Sequence, residues 1–532
     1  MKKLFLTILF ITQLFATDYY VSPDGSNTSP FDTWAKACTT FANIPWGSIN
    51  PGDFVYISGN DAGGSNDSTV YSEQLLIGDV QGTAANYITV IAGKYSPSPS
   101  GHSGRVIIDG GGYAADCTGG IAYPIFLGGS TGYVTSYIHI KGFESRGGKA
   151  GVNIEERANC IIVDSMNIYH FSDLAGVLAQ GYRYNVDFTG IDSLTIRNCR
   201  IVSDVHYPDM IACGTNWQTD GIFVKGITNT VIHDNFIWTR SIDSLAHVDG
   251  IQSQEAQGFV IYNNVIIADS SGNPPEGGGM ALILRSGDMS GDSLPVIIYN
   301  NFCYQGGIWY VNDPPPQATG FVFNTHRGDQ ANYAVPSSPT FIFNNTIVGL
   351  CTEVAGTSLE YFSGSNDGVF INNIVAMYEG TSARARWTFG VNDGYIDSIR
   401  NNLVWNDYND ITDMYTANDF IDGAQTSYTH AQWLADGGTG LSENPNFVNS
   451  FGHEPNQGAL TGELQSNSPV INQGEDLTYL KNYIQSTFGI TVDIEHDING
   501  LTRTTSAPSI GAYEYSEAAP AAGVIRRKLI LK

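Results

Sequence analysis

Phe259-Val-Ile-Tyr-Asn-Asn264-Val-Ile-Ile267 holds the pattern that organises the chain: an apolar, β-branched run, an Asn pair, then a second apolar run. The pattern returns at Asn300-Asn301 after Pro-Val-Ile-Ile-Tyr, at Asn344-Asn345 after Thr-Phe-Ile-Phe, at Asn372-Asn373 after Val-Phe-Ile and at Asn401-Asn402 after Ser-Ile-Arg. Variants stand earlier, at Asp164-Ser165, Arg197-Asn198 and Asp234-Asn235. β-Branched residues favour strands, while Asn accepts the left-handed backbone of a tight bend and can bond to its own turn. Each occurrence therefore reads as one coil: strand, Asn turn, strand, longer loop, strand. From Asn235 to Asn264 the step is 29 residues, and the other steps differ as loops of different length are inserted. An antiparallel sandwich gives no reason for so regular a turn. The expected fold is an all-β, right-handed parallel β-helix, with Asn side chains stacked in amide ladders.

Segments align between coils without gaps. Ala150–Glu155 matches Asp220–Lys225, which matches Asp249–Gln254, so each aligned position becomes a column along the solenoid. Alternation along a strand sends Ile222 and Val224 into the core and leaves Phe223 and Lys225 outside. One outward column then reads Glu155, Thr189, Lys225, Gln254, Arg285, His326. Its neighbour reads Asn153, Asp187, Phe223, Gln252, Ile283, Asn324. Trp217, Trp309 and Tyr310 stand at the edges of these coils, where aromatic rings can stack on sugars. Insertions at Ser270–Gly279, Val311–Gly320 and Arg327–Ser338 emerge near the same strip and are expected to wall a groove over residues 150–330.

Composition bounds the function. Charged residues are 14% of the chain and hydrophobic ones 42%, ample for a large core. Met1-Lys-Lys3, the apolar run Leu4–Leu14 and Ala16 predict a secretory signal peptide over 1–16. Its removal takes the formal charge from −27 to −29. Such an acidic chain offers no basic stripe for nucleic acid, and no later stretch is apolar enough to span a bilayer. The seven cysteines are scattered with no CxxC pair, which argues against a zinc site or a disulfide framework and for buried core thiols. No EF-hand spacing occurs, so no cofactor is required by the sequence, and calcium is the one metal its carboxylates suggest. Nothing here bears on oligomeric state.

The ends carry their own signals. Ser29–Asn43 reads as an amphipathic helix, N-capped by Ser29 with Pro30 at its first position, that would cap the solenoid. Pro51-Gly-Asp-Phe-Val-Tyr-Ile57 follows as the expected first strand, so the solenoid with its cap should occupy 17–402. This opening resembles that of secreted pectin-lyase-like β-helix proteins. Over 403–515, Asn444-Pro-Asn-Phe-Val-Asn449, Ser468-Pro-Val-Ile-Asn-Gln-Gly474, Asp497-Ile-Asn-Gly500, Arg503 and Ile510-Gly-Ala-Tyr-Glu-Tyr515 resemble, in order, the choice-of-anchor Q region that follows a β-helix in exported bacterial proteins. The resemblance implies a secreted or cell-surface protein of bacterial type. Residues 516–532 read as a linker and a short basic-apolar tail.

Two constellations carry chemistry. In a chain this acidic, Lys225, Arg285 and His326 on nearby rungs form a local basic strip. It suits β-elimination on a uronate-containing polysaccharide, in which a cation neutralises the carboxylate and a base removes the adjacent proton. Lys225 or His326 would be the base and Arg285 the neutraliser, with Gln252, Gln254 and Asn324 holding substrate. Pectin-lyase-like enzymes use Lys and Arg in these ways, which the resemblance extends to this chain as an expectation. The second constellation is His247-Val-Asp-Gly-Ile-Gln252 set against Gln218-Thr-Asp-Gly-Ile-Phe223. Stacked Asp220 and Asp249 fit the paired carboxylates of a glycoside hydrolase, with His247 beside them. Thr219-Asp-Gly221 is similar to one polygalacturonase motif, although the accompanying motifs are lacking. Asp-Gly ahead of a strand equally describes a structural turn, or a calcium ligand. Against both enzymes stands a solenoid that only binds glycans, as an adhesin or structural spike.

Overall fold

The computed structural model describes residues 16–60, 67–95, 101–111, 120–129, 134–171, 175–181, 191–203, 220–240, 248–270, 279–286, 294–307, 321–324, 339–350, 360–363, 368–378, 389–391, 396–406, 415–418, 425–428, 430–435, 439–448, 462–504 and 506–517. The signal-peptide expectation concerns residues outside this set, apart from Ala16. So does the tail after Glu517.

The chain is a right-handed parallel β-helix. Each coil lays one strand in each of three sheets, here numbered 1 to 3 in the order the chain visits them. In one coil Asp220–Lys225 lies in sheet 1, Ile227–His233 in sheet 2 and Phe236–Arg240 in sheet 3. Gly226, at φ +63°, bends the chain from sheet 1 to sheet 2, and Asp234, at φ +60°, turns it into sheet 3. In the next coil Val248–Tyr262 runs as a single strand through sheets 1 and 2. The ungapped alignment holds: Ile222 pairs with Ile251 and Lys225 with Gln254. Ile222, Val224, Ile232, Ile237, Ile251, Ile261 and Ile266 point inward and are wholly buried. Each contributes roughly 1.5–3 kcal/mol by leaving water.

The Asn pairs divide their labour. The first of each pair takes the left-handed bend, at φ between 51° and 57° for Asn263, Asn300, Asn344, Asn372 and Asn401. The second is buried and builds the expected amide ladder, from Asn235 through Asn264, Asn301, Asn345 and Asn373 to Asn402. Asn301 is typical. Its Nδ2 donates to Ile261 O, Tyr299 O and Asn345 Oδ1, while its Oδ1 accepts from the backbone N–H and Nδ2 of Asn264.

The ends depart from expectation. Over Ser29–Asn43 the chain forms two single 3-10 turns, Trp34–Lys36 and Phe41–Asn43, with a third at Trp46–Ser48, in place of one amphipathic helix. Backbone groups a helix would need are already used. Ser26, Asn27 and Thr28 N–H donate to Ala35, Ala37 and Lys36 carbonyls, and Cys38 N–H donates to Tyr20 O. Phe54–Ile57 is not the first strand either, since Asp18–Val21 precedes it and pairs with it. Cys38, Cys199 and Cys303 are buried free thiols, as expected, whereas Cys160 is only half-buried.

At the other end sheet 3 closes with Asn402–Asn406 and Gly440–Leu441. Residues 462–517 then turn back along the solenoid. The helix Thr478–Phe488 sets Leu480 and Ile484 on the outer face of sheet 2, against Ile297, Phe341 and Ile371. Ile498, Ile510 and Tyr513 cover Phe302, Tyr304 and Val348 on sheet 3. Arg503 fastens this segment. Its buried guanidinium donates to Asn300 Oδ1, Gly511 O and Ser509 O and pairs with Glu514 at 3.6 Å. No helix among the described residues is long and apolar enough to cross a membrane.

Candidate functional site

Among the described residues the C-terminal segment packs on sheets 2 and 3, which leaves the outer face of sheet 1 as the place to look. That face is built by Ala150–Glu155, Ala175–Gln180, Asp220–Lys225, the first part of Val248–Tyr262, Gly279–Ser286 and Phe321–Asn324. A small residue followed by Gly recurs at 150–151 and 175–176, and Asp-Gly takes its place at 220–221. The glycines face inward: a Cβ on Gly151, Gly176 or Gly221 would lie 2.2–2.3 Å from Cγ2 of Ile168, Ile201 or Ile237. Ala150 and Ala175 therefore turn to the outer side, where they pack with Leu178 and Phe223 apart from the main core.

Asp220 and Asp249 continue that outer column, as Ala175 pairs with Asp220 and Asp249 with Met280. Both are strand residues, not members of an Asp-Gly turn, and the glycine after Asp220 is required by its packing against Ile237. Both are wholly buried, and the Asp249 N–H donates to Asp220 Oδ1 at 2.9 Å. Burial, and then the neighbouring Asp249 charge, push the Asp220 carboxyl well above the usual carboxylate range. Its Oδ2 is buried with no hydrogen-bond partner among the described residues. Among these residues no group of three or more His, Cys, Asp or Glu side chains converges as a metal site.

Lys225 sits at the far end of the same strand, only partly buried, on the outward side next to core residue Val224. Its rung neighbours are Gln180 and Gln254. Gln180 replaces the expected Thr189: the rung between Glu155 and Lys225 is Ala175–Gln180, not residues 182–189, because only the former offers the Ala-Gly start that fits against Ile201. Asp187 is displaced from the neighbouring column by Leu178 in the same way.

Leu282 pairs with Phe321, which brings Arg285 opposite Asn324. By this backbone register Asn324 stands opposite Arg285, and Val322 takes the place opposite Ile283 that was expected for Asn324. Gln252 does stand in the outer column beside Phe223, yet it is 1% exposed and its Oε1 lacks a hydrogen-bond partner among the described residues. It is enclosed. Asn153, in the same column, is likewise buried and donates to Glu155 Oε1 at 3.0 Å. Arg285, Gln254 and Asn324 are placed by backbone register alone. His247, His326, Trp217, Trp309 and Tyr310 lie outside the described residues, as does most of each expected wall loop.

No known protein-family profile matches the chain. No curated protein matches it either. Several solved structures align with the chain. The pectate lyase Pel9A aligns at 15% identity over 94% of this chain and 96% of its own, with a TM-score of 0.45. A rhamnogalacturonan lyase aligns at 14% identity over 85% and 96%, with a TM-score of 0.36. PfbA, a surface adhesin of Streptococcus pneumoniae, aligns at 10% identity over 75% and 93%, with a TM-score of 0.39.

Proposed function

We propose that the chain is a secreted, polysaccharide-active protein that cleaves a uronate-containing glycan by β-elimination on the outer face of sheet 1. The observation that carries this reading is Lys225: a partly exposed cation on the face that the C-terminal segment leaves open, one rung from Gln180 and Gln254 and two from Arg285. In the reaction a base takes the proton beside the uronate carboxylate. The electron pair left behind forms a carbon–carbon double bond, and the bond to the leaving sugar oxygen breaks. Lys225 is assigned as the base, with Arg285 lowering the cost of the negative charge that builds on the carboxylate. Hydrolysis by Asp220 and Asp249 is less well supported, because a carboxylate must reach the glycosidic oxygen and both are enclosed. Calcium at that pair is no part of the assigned step.

The test is incubation of the purified protein with a panel of uronate polysaccharides, followed by ultraviolet absorbance of unsaturated sugar ends. Lys225→Ala should abolish the signal without lowering the melting temperature. New reducing ends without that absorbance would replace elimination by hydrolysis. Binding with no product would replace the enzyme by an adhesin.

A further inference from the structure

Resting on the placement of the glycan along sheet 1, we infer that the first rungs of that sheet form a second carbohydrate subsite, in which a sugar ring stacks on Phe126. Leu75–Gly78, Ile125–Gly128 and Ala150–Glu155 are successive rungs, with Leu76 paired to Phe126 and Phe126 to Asn153. Leu75, Ile77, Ile125 and Leu127 are wholly buried, so alternation turns Leu76, Gly78, Phe126 and Gly128 outward. Leu76 is 50% exposed, and Phe126 and Tyr123 are half-buried, so this apolar strip lies open. The Tyr123 and Phe126 rings stand 6.2 Å apart, tilted at 42°. Tyr123 is braced from behind by the cluster of Ala150, Ala175, Leu178 and Phe223.

Gly128 shapes the platform. A Cβ there would lie 2.8 Å from Cε1 and 3.2 Å from Cζ of Phe126, so the ring reaches along its own strand over the glycine. Gly78 pairs with Gly128 on the preceding rung and adds no side chain either. An aromatic ring laid over backbone and open on its outer side takes an apolar surface with a polar edge, and the C–H face of a pyranose is such a surface. On the next rung buried Asn153 donates to Glu155 Oε1 at 3.0 Å and steers that carboxylate, which has further lone pairs for a sugar hydroxyl.

The occupant follows from what adjoins the platform. Glu155 pairs with Gln180, and Gln180 with Lys225, so the strip runs on into the cation assigned as base. Three apolar side chains fall far short of the roughly 1,000 Å² that a stable protein partner needs, whereas they match the width of a single glycan chain. At about 4.8 Å per rung, Phe126 stands about 14 Å from the rung of Lys225. A short oligosaccharide held at Lys225 stops before the platform, and a longer one reaches it. Contacts so far from the reacting bond add binding without touching the chemistry.

The experiment measures Kd and unsaturated product for the full chain on oligogalacturonate, oligoalginate and hyaluronan, each as a size series from disaccharide to octasaccharide. In the series bound most tightly, the longest member should bind at least about tenfold more tightly than the shortest. Phe126→Ala should remove most of that gain. Gly128→Ala should do the same by pushing the ring aside without deleting it. Val70→Ser, at an aliphatic residue equally exposed on sheet 3, should leave the gain intact. A gain that survives both the Phe126 and Gly128 substitutions overturns the subsite and leaves the elimination reading standing. A gain lost in both, with no unsaturated product from any series, upholds the subsite and overturns elimination. Binding at no length overturns both.

Discussion

The two halves of the solenoid share one interior and wear different exteriors. On sheet 3 an outward column begins Asp109, Arg146, Tyr169 and continues Val202, Trp238, Ile267, Tyr304, Val348. Its first members are ion-paired, with Arg146 2.7 Å from Asp109, and Tyr169 bonded to Glu144 alongside. The later ones are apolar and lie beneath the C-terminal segment. Sheet 2 repeats the change: Lys141, Asp164, Arg197 and His233 give way to Tyr262, Tyr299, Phe343 and Ile371. The crossing is gradual, because His233 stacks on Tyr262 at 4.6 Å and Tyr262 on Tyr299 at 4.9 Å. The interior therefore sets the coil, and the outward residue records whether water or chain lies over it. Among the described residues the C-terminal segment does not clad sheet 1, where Lys225 stays partly exposed, which is why its polar column is the one assigned to substrate.

The largest expected effect breaks the cladding. Arg503→Leu leaves Glu514 and Asp497 buried without their cation and removes the donor to Asn300 Oδ1. The expected cost is about 3–5 kcal/mol. Hydrogen exchange should rise over residues 462–517 and over the sheet 2 and 3 strands beneath them, while the strands from Arg105 to Arg200 stay protected. Equal loss in both halves would mean that the exterior does not divide the molecule. Next comes the turn. Asn301→Ala strands the Ile261 and Tyr299 carbonyls and the Asn264 amide, at roughly 2–4 kcal/mol by urea denaturation.

In the N-terminal half Cys199 and Met166 stand in the column of the amide ladder, and beside the turn the Asp164 carboxylate gathers the polar bonds instead. Burial alone would raise the Asp164 carboxyl. Hydrogen bonds from His139, Ser165 and Asn198 and the Arg197 charge instead hold it well below the usual range. A group lowered in this way contributes stability above its unfolded pKa and loses it as pH falls through the folded one. Asp164→Asn should therefore cost about 1–3 kcal/mol at pH 7. Its deficit should shrink as pH drops below about 4. A deficit independent of pH would show that Asp164 acts by packing alone.

Much of this architecture is legible in the sequence, for a stated reason. The Asn pairs mark the turn because both left-handed backbone and buried amide stacking demand Asn, so fold and coil register follow from one residue type. The site is less legible. The column needed the true rung Ala175–Gln180, whose only signal is Ala-Gly ahead of an apolar pair, a signal readable once Gly221 is seen to press on Ile237. Pattern alone sets Asn324 opposite Ile283, whereas the backbone pairs it with Arg285, a two-residue offset that strand alternation does not reveal. The enclosure of Gln252 has no signal in its own strand, since alternation gives a face and not what covers it. The C-terminal motifs mark a region, yet Arg503 reaches Asn300 over more than 200 residues, which no local pattern reveals.

The smallest effect bears on sheet 1 itself. Asp220 stands where Ala150 and Ala175 stand in earlier coils, so the column changes from methyl to carboxylate without a change of backbone. Its raised carboxyl is stabilised when protonated, so this contribution is present at acid pH and lost as pH rises through the folded pKa. Asp220→Asn keeps an oxygen to accept the Asp249 N–H and removes the repulsion from the Asp249 charge. It should raise stability by about 1 kcal/mol at pH 8, with the gain vanishing near pH 4. Thermal denaturation at the two pH values measures both numbers. A loss of stability at pH 8 would mean that the ionised pair is compensated, and calcium titration of the melting temperature would then identify what compensates it.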